Sequence, residues 1–422
     1  MMRAPSWRLA LFGLTAASAT ALMSPLAFTQ QKPAQERGGQ EEFGHYELVP
    51  EFNQGLPDGP DGLKHEGWTW GSQGAVYAES ADRIWVAMRG ELPLPKGAKP
   101  WTPYGMLGLP TGDPAYAERI EARRATGNPD RMGATCMPVP PRGWERRMHH
   151  VLYVLDRNGK QVQHWAQHDK LFEAPCGRGP HKIKMSPYDP AKHVWVIDDQ
   201  LHTIHKFTYD GKLVMTLGTS GVRGRDTGKL FDRPTDIDWL PDGTFFISDG
   251  YGGVRVAKFD KDGKFITEWG SKPKDPNNPG PNEWNTVHSI AISKDRRLFV
   301  ADRGHHRMQV FDENGKFLDM FVLGQYSSPY YHIITADQTL WISDGGTQRF
   351  IKYDLNGNYK YGWGAPGGRL GEFAGPHQFT VDQEGNLYVA EVFNGRVQKF
   401  KPKAGADPAK IVGQEVRYKA AN

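Results

Sequence analysis

Three of the 15 histidines stand at matching positions of a repeated sequence pattern. His288 and His377 each lie 14 residues before the acidic residue that ends a β-rich run, and His181 lies 17 residues before one because its repeat carries three extra residues. Three imidazoles that meet at one point and leave a fourth position open are a ligand set of catalytic zinc. Imidazole also suits copper, iron and nickel, so the pattern predicts a divalent metal site and leaves the metal open.

The same position in the other three repeats holds Gly74, Thr235 and Tyr330. Histidine therefore occurs in repeats two, four and six. If six repeats close into a ring, alternate repeats lie about 120° apart, and the three imidazoles point to a common spot on the axis. Two alternatives stay open at this stage: a register shared by chance, and a polar channel without metal.

Four other histidines form the adjacent pairs His149–His150 and His305–His306. Neighbouring side chains of a strand point to opposite faces, so the members of each pair should diverge. We expect these pairs to be solvated and not to bind a metal together.

A second register lies just after the β-rich runs. Arg89 and Arg303 directly follow the run in the first and fourth repeats, and Tyr251 comes two residues after it in the third. Arginine offers a planar, bidentate fork to a carboxylate, and a tyrosine beside positive charge can act as a base. These residues predict a site for an anionic substrate. The alternative for each is a surface ion pair or a capped loop.

The elements that position these residues follow from a repeated turn. Asp/Asn-rich turns that contain glycine recur with spacings of 52, 52, 52 and 42 residues, at Gly159, Gly211, Gly263, Gly315 and Gly357. Alternating apolar residues flank each turn, which is typical of a β-hairpin. The β-rich run upstream, counted here as the third strand, completes a four-stranded repeat, and six such runs predict an all-β, six-bladed β-propeller. A helical solenoid would need a 3.6-residue apolar period.

Composition agrees with this fold class. The 422 residues include 49 glycines, 31 prolines and 12% aromatics, which suits many short strands and turns better than a helical bundle. The net charge of +4 includes no concentrated basic segment, so we expect no nucleic-acid partner.

The sequence also predicts how the chain is organised. Residues 1–27 have the basic start and short apolar run of a signal peptide, and 28–44 have the polar composition of a flexible leader. Residues 45–403 form the propeller, with a proline-rich insertion at about 91–149 in the first blade, and 404–422 form a C-terminal tail. His45 to Val49 is expected to complete the last blade. We therefore expect a periplasmic or secreted protein with no membrane span after removal of the signal.

The two cysteines, Cys136 and Cys176, are too few for a four-cysteine metal site. Export to an oxidising compartment favours a disulfide between them, which would attach the insertion to the propeller body. The alternative is two free buried thiols.

Several short runs together resemble the family of peptidyl-α-hydroxyglycine α-amidating lyases, which are NHL-type six-bladed propellers. The runs are Met88-Arg89-Gly90, Gly179-Pro-His181-Lys-Ile, Arg233-Pro-Thr-Asp-Ile237, Ser248-Asp-Gly-Tyr251, Val287-His288-Ser-Ile, Val300-Ala-Asp-Arg303 and Gly375-Pro-His377. The resemblance implies that His181, His288 and His377 bind zinc. It also implies that Arg89 and Tyr251 are catalytic, and that Arg303 lies in the substrate site.

The resemblance further implies a structural calcium, bound in part by the backbone carbonyls of Val76 and Ile183. The family has an aspartate ligand where this chain has Gln378, which weakens the expectation of calcium.

The implied reaction is the cleavage of a carbinolamide, such as a peptidyl- or acyl-α-hydroxyglycine, to an amide and glyoxylate. The expected partner is a small-molecule or peptide substrate with a carboxylate, and the expected state is a monomer. The main alternative is a non-enzymatic NHL propeller that binds a peptide, glycan or protein. A propeller lactonase or hydrolase would need carboxylate metal ligands, and the matching positions hold histidine instead.

Overall fold

The predicted glycine turns close the outer hairpins of five of the sheets. Their glycines have φ values between 80° and 92°, a backbone conformation that side chains disfavour. An aspartate opens four of these turns and fixes them further: the carboxylate of Asp312, for example, accepts hydrogen bonds from the backbone N–H of Asn314 (2.8 Å) and of Lys316 (2.9 Å). In the turn at Gly211 the hydroxyl of Thr208 has this role and accepts from the backbone N–H of Lys212 at 2.9 Å. The spacing of these turns therefore sets the repeat.

The computed structural model describes residues 42–52, 54–58, 64–93, 147–173, 179–226 and 228–415, all within one compact unit. They form six antiparallel sheets of four strands, which are blades I to VI of a β-propeller. This confirms the all-β, six-bladed fold. From the axis outward the strands are, in blade I, Gln73–Ser80, Arg83–Met88, Leu152–Leu155 and Gln161–His164; in blade II, Lys182–Met185, Val194–Asp198, Thr203–Phe207 and Leu213–Leu217; in blade III, Pro234–Trp239, Phe245–Asp249, Arg255–Phe259 and Phe265–Trp269; in blade IV, Val287–Ile292, Leu298–Asp302, Arg307–Phe311 and Phe317–Val322; in blade V, Pro329–Ile334, Thr339–Asp344, Arg349–Asp354 and Tyr359–Trp363; and in blade VI, Pro376–Val381, Leu387–Glu391, Arg396–Pro402 and Tyr46–Leu48.

The minor elements lie outside the blades. Trp68–Thr69 pairs with Leu92–Pro93 in a small two-stranded sheet. Short 3-10 helices span Pro50–Phe52, Ala166–Phe172, Arg303–His305 and Pro408–Lys410. Within the described residues, no helix has the length and apolar character needed to cross a membrane.

The strand Tyr46–Leu48 closes the ring. It pairs with the third strand of blade VI in the register Tyr46↔Pro402 and Leu48↔Phe400. The first and last parts of the propeller are thus hydrogen-bonded within one sheet, which fixes the ring at its closure.

The β-rich run upstream of each hairpin is the second strand of its blade, not the third. In blade IV, for instance, Leu298–Asp302 lies between the innermost strand Val287–Ile292 and Arg307–Phe311. Because antiparallel strands alternate in direction, the start of the innermost strand and the loop between the second and third strands lie on one face of the ring. The predicted histidines and the predicted arginine and tyrosine residues therefore share one face.

The hydrophobic core lies between adjacent blades. One apolar cluster, for example, combines Trp341 and Phe350 of blade V with Phe379 and Phe400 of blade VI. The segment after the last strand also packs on this region: Val412 is buried, and its backbone N–H donates to the hydroxyl of Tyr46 at 2.8 Å.

Some expectations fall outside the described residues. These are the signal peptide at 1–27, most of the leader at 28–44, most of the insertion at about 91–149 and both cysteines of the expected disulfide, Cys136 and Cys176.

Candidate metal centre

The three predicted histidines meet at the axis of the propeller. His181 directly precedes the innermost strand of blade II, and His288 and His377 are the second residues of the innermost strands of blades IV and VI. All three are buried, and their ring centroids lie 4.5 Å, 4.9 Å and 5.3 Å apart. The sequence register therefore predicted this juxtaposition.

Each imidazole is oriented by the next blade. The Nδ1 atoms of the three rings contact backbone carbonyl oxygens of Thr235 (2.7 Å, from His181), Tyr330 (2.5 Å, from His288) and Gly74 (2.6 Å, from His377). These are the residues that occupy the matching positions of blades III, V and I. A carbonyl oxygen only accepts, so each Nδ1 carries the proton and each Nε2 has a free lone pair. Metal-binding histidines are commonly held in this way.

Burial keeps these rings neutral. It lowers the pKa of all three imidazoles well below their usual range, and the nearby guanidinium groups of Arg89 and Arg303 add to this effect. A neutral imidazole is the form that binds a metal ion.

The position of Gly74 leaves no space for a side chain, because the backbone before blade II passes close to it. A Cβ atom at this position would lie 2.7 Å from the carbonyl oxygen of Pro180, the residue before His181. The absence of a side chain thus lets blades I and II approach at the level of the metal centre.

Tyr251 lies over the imidazole cluster. Its hydroxyl oxygen is 3.2 Å from Nε2 of His181 and 3.0 Å from Nε2 of His288. Arg303 donates to the same oxygen from Nη1 at 3.3 Å. The phenol oxygen therefore faces the nitrogens that would bind a metal and touches a cation at the same time.

Arg233 is a site residue that the register analysis missed. Its guanidinium carbon lies 3.9 Å from the centroid of the Tyr251 ring, and its Nε donates to the carboxylate of Asp199 at 3.1 Å. Burial alone would raise the pKa of Asp199, but Arg233 and Arg89 hold it below its usual range. The only signal in the sequence was that Arg233 begins one of the runs that carry the family resemblance.

Arg89 is placed behind His181. Its Nε donates to the carbonyl oxygen of Pro180 at 3.2 Å, and its Nη2 lies 3.8 Å from a carboxylate oxygen of Asp199. Buried Arg89 and Asp199 and half-buried Arg233 thus form a charged group next to Tyr251.

The donor set fits zinc. Three neutral imidazoles direct one nitrogen each to a common point, and all three donor atoms lie within 4.8 Å of one another. Among the described residues, this group of potential ligands includes no carboxylate. His181, His288 and His377 are therefore the residues that would hold the ion.

The donor set does not fit calcium at the position that the resemblance implies. The side-chain amide of Gln378 donates to the carbonyl oxygen of Ile183 at 2.8 Å, so an N–H donor stands where the resemblance implies a carboxylate ligand. Val76 lies within the innermost strand of blade I, and Ile183 stands in the sequence between two buried lysines, Lys182 and Lys184. Calcium needs several oxygen ligands, which this arrangement does not offer.

The expectation for the histidine pair His149–His150 was wrong. His150 is fully buried, and the Nδ1 atoms of the two rings lie only 3.3 Å apart. His150 has a φ of 51°, which breaks the alternation of a strand and turns both rings to one side. The pair His305–His306 is half-buried, and His305 contacts the carboxylate of Asp302 at 2.7 Å.

Comparisons with known proteins agree with the propeller fold and find two kinds of relative. Residues 285–311, in blade IV, match the NHL repeat. The Xenopus laevis peptidyl-glycine alpha-amidating monooxygenase A is 30% identical over 259 residues, 56% of this chain and 26% of that protein. The Drosophila melanogaster peptidyl-alpha-hydroxyglycine alpha-amidating lyase 1 is 28% identical over 254 residues, 55% of this chain and 46% of that protein.

A relative of another kind matches equally well. The Mus musculus NHL repeat-containing protein 3 is 29% identical over 251 residues, 54% of this chain and 69% of that protein.

Among solved structures, a streptogramin B lyase matches with a TM-score of 0.45 and 12% identity, covering 83% of this chain and 96% of that one. The chain spans about a quarter of the length of the Xenopus relative. It is thus a six-bladed propeller that contains an NHL repeat and is similar, over about half its length, to amidating enzymes and to NHL repeat-containing protein 3.

Proposed function

We propose that this protein is a metal-dependent lyase that cleaves a carbinolamide to an amide and glyoxylate. The observation that carries the proposal is the position of Tyr251, whose hydroxyl oxygen lies within 3.2 Å of two metal-facing imidazole nitrogens and accepts a hydrogen bond from Arg303. A base beside a metal centre is what the removal of a proton from a substrate hydroxyl requires.

A zinc ion bound by His181, His288 and His377 would supply Lewis acidity that makes the substrate hydroxyl more acidic. Tyr251, as phenolate, takes the hydroxyl proton. The electrons of the O–H bond then form the carbonyl of glyoxylate, the C–N bond breaks, and its electron pair goes to the amide nitrogen. The protonated Tyr251 can return the proton to that nitrogen, so atoms and charge balance.

The surrounding arginines suit the remaining part of such a substrate. The guanidinium carbon of Arg303 lies 4.8 Å from the Tyr251 ring centroid and 5.3 Å from that of Tyr330. Its guanidinium can receive a carboxylate next to the reacting carbon. Arg233 lies over the Tyr251 ring, 3.9 Å from its centroid, and its positive charge stabilises negative charge on the phenol. Arg89 supports the loop before His181 and acts as a positioning residue.

The relatives support two functions. The name of the Drosophila relative is that of a lyase for peptidyl-α-hydroxyglycine, which agrees with the proposal. The similar identity to NHL repeat-containing protein 3 favours the second candidate, a non-enzymatic propeller that binds a partner. Burial holds the pKa of the three imidazoles well below its usual range, and groups perturbed in this way are concentrated at catalytic sites. This favours the lyase.

The decisive experiment is an assay of glyoxylate release from a small N-acyl-α-hydroxyglycine. The zinc-loaded protein should release glyoxylate far above the uncatalysed rate, and chelation followed by zinc return should abolish and then restore the activity. A zinc-loaded protein that releases no glyoxylate above background would leave the binding module as the better function.

A further inference from the structure

A second group of potential metal ligands lies at the neck of the insertion. The chain leaves blade I at Glu91 and returns at Arg147, and these two residues form an isolated antiparallel bridge with N–H to carbonyl distances of 2.9 Å and 3.2 Å. The side chains of His65, Glu91, His149 and His150, here called the neck cluster, gather beside this bridge with one donor atom each within 4.8 Å of the others.

The spacing of three of these donors matches a tetrahedral metal site. Glu91 Oε1 lies 2.8 Å from Nδ1 of His150 and 3.6 Å from Nδ1 of His149, and the two nitrogens are 3.3 Å apart. Metal–ligand bonds of 2.0 to 2.1 Å at tetrahedral angles put the ligand atoms about 3.3 Å apart. The fourth member, His65, places its Nδ1 3.0 Å from Glu91 Oε2.

At least one ring nitrogen that faces the cluster carries a lone pair. Nδ1 of His65 lies 2.8 Å from Nη2 of Arg147, which only donates, and 3.0 Å from Oε2 of Glu91, so its lone pair is directed to Arg147 in one tautomer and its proton to Glu91 in the other. Only one proton fits between the Nδ1 atoms of His149 and His150, so at least one of these also directs a lone pair inward. The Nε2 atoms of His65 and His150 are buried without a hydrogen-bond partner among the described residues, so the inward contacts orient these rings.

The backbone and the surroundings hold this geometry. The left-handed φ of 51° at His150 is an uncommon conformation for a side-chain-bearing residue, and such strain is concentrated at functional sites. His164 stacks on His150 with ring centroids 4.3 Å apart, and its own Nε2 lies 3.1 Å from the carboxylate of Asp169. The ring of His150 is therefore fixed from both sides.

The neck cluster contains one buried carboxylate, whose negative charge can be balanced by a bound cation. Glu91 is fully buried, and its partner Arg147, 2.6 Å away, retains 23% side-chain exposure. A divalent cation among these donors would replace Arg147 as the main counter-charge of the carboxylate.

We propose that Glu91, His149 and His150, with His65 as the fourth ligand, bind a first-row transition-metal ion at a site separate from the axial histidines. Sites with several imidazole nitrogens and one carboxylate suit zinc, copper, iron and nickel, whereas calcium and magnesium prefer oxygen ligands. The ion would join both ends of the insertion to the segment that holds His65. Fixing both ends of a connection reduces its conformational freedom, and the two ends at Glu91 and Arg147 lie on the face that carries the axial histidines. The proposal does not depend on the proposed lyase activity.

The test is zinc content after loading and extensive dialysis, measured on the full chain by mass spectrometry. The wild type should retain about two zinc ions per chain, and the variant with alanine at all three axial positions, His181, His288 and His377, should retain about one. Adding Glu91→Gln to that variant should remove the remaining ion. Asp189→Asn, which alters another carboxylate in contact with a histidine (2.6 Å from His193), is the matched control and should leave the zinc content unchanged.

His149→Ala provides an independent check, because this side chain retains 14% exposure and its loss perturbs packing less. In the axial triple variant it should lower zinc affinity at least tenfold and abolish the rise in Tm on zinc addition. A triple variant that retains no zinc and shows no rise in Tm would overturn the proposal. Full zinc retention after Glu91→Gln or His149→Ala would do the same.

Discussion

Six residues at the inner ends of the blades form a ring in which each histidine is oriented by the backbone of the next blade. Because His181, His288 and His377 each use Nδ1 to contact a carbonyl oxygen, their three Nε2 atoms are committed to the axis. The metal centre is thus built from three blades that carry ligands and three that carry acceptors.

Replacing any one axial histidine should remove one bound zinc per chain. His288→Ala takes away a nitrogen that no described neighbour can supply, and a site with two ligands holds zinc weakly. The ring of blades does not depend on this side chain, so the circular dichroism spectrum should stay β-rich. Zinc content by mass spectrometry checks this, with His193→Ala, a histidine paired with Asp189 away from the axis, as the control. Full zinc content in the three single variants would contradict the assignment.

Tyr251→Phe separates proton transfer from metal binding. The variant should keep its zinc, because the ligands are the histidines, and should lower turnover of an acyl-α-hydroxyglycine by about 10² to 10⁴-fold, the usual effect of a positioned base. The readouts are glyoxylate release and zinc content.

The matched control is Tyr326→Phe, since Tyr326 is 75% exposed. A fully active Tyr251→Phe variant would leave the reaction possible and exclude this tyrosine as the base.

At the scale of elements, the strand Tyr46–Leu48 joins the chain's first described segment to its last blade. The ring of Tyr46 packs against Trp363, with centroids 5.2 Å apart, and its hydroxyl accepts from Val412. One side chain therefore connects blade V, blade VI and the C-terminal segment.

Tyr46→Ala should lower the free energy of unfolding by about 3 to 5 kcal/mol, the usual cost of removing a large buried ring. Tyr46→Phe keeps the ring and loses only the hydrogen bond to Val412, so its cost should be about 1 kcal/mol. Urea unfolding of both variants measures this. Equal costs for the two variants would show that ring packing is not what holds the closing strand.

The elements could be predicted because their signals are local. Glycine turns, alternating strands and the closing strand near His45 are each encoded within a few residues, and the histidine register follows from counting along them. The radial order of the strands could not be counted in the same way, so the β-rich run was taken as the third strand of its blade. An alternating pattern looks the same in the second and third strands of a sheet.

The parts of the site that escaped prediction depend on backbone angles. Arg233 reaches the face of Tyr251 from a residue with a φ of 67°, and His149 and His150 converge because His150 has a φ of 51°. Residues other than glycine rarely adopt these angles, and the sequence carries no mark of them. The use of Gly74, Thr235 and Tyr330 as backbone acceptors was equally hidden, because a carbonyl is common to every residue.

At the scale of the whole molecule, buried titratable groups make stability depend on pH in two directions. Burial raises the pKa of Asp198 and of Asp249 to about 7, so these groups take up protons in the folded state and favour it as the pH falls below 7. Buried histidines act in the opposite way. Burial lowers the pKa of His332 to about 3, so between pH 6.5 and 3 only the unfolded chain binds this proton.

The contribution of His332 can be isolated with a pair of variants. Its Nδ1 contacts the hydroxyl of Ser289 at 2.6 Å and its Nε2 the carbonyl oxygen of Phe299 at 3.0 Å. Ser289→Ala removes one of these contacts and keeps the titratable ring. His332→Gln removes the ring itself.

Both variants should be less stable than the wild type at pH 7.5. The deficit, meaning the free energy of unfolding of the wild type minus that of the variant, should change with pH for only one of them. As the pH falls below 6.5, the unfolded wild type binds a proton at His332, and this lowers the free energy of unfolding. His332→Gln has no imidazole at this position, so its free energy of unfolding does not fall for this reason. The deficit of His332→Gln should therefore shrink by about 1.4 kcal/mol between pH 7.5 and pH 5.5, while that of Ser289→Ala stays nearly constant. Urea unfolding in the presence of a chelator, which removes metal binding from the comparison, gives both values. A deficit of His332→Gln that is the same at both pH values would mean that His332 titrates alike in the folded and unfolded chains.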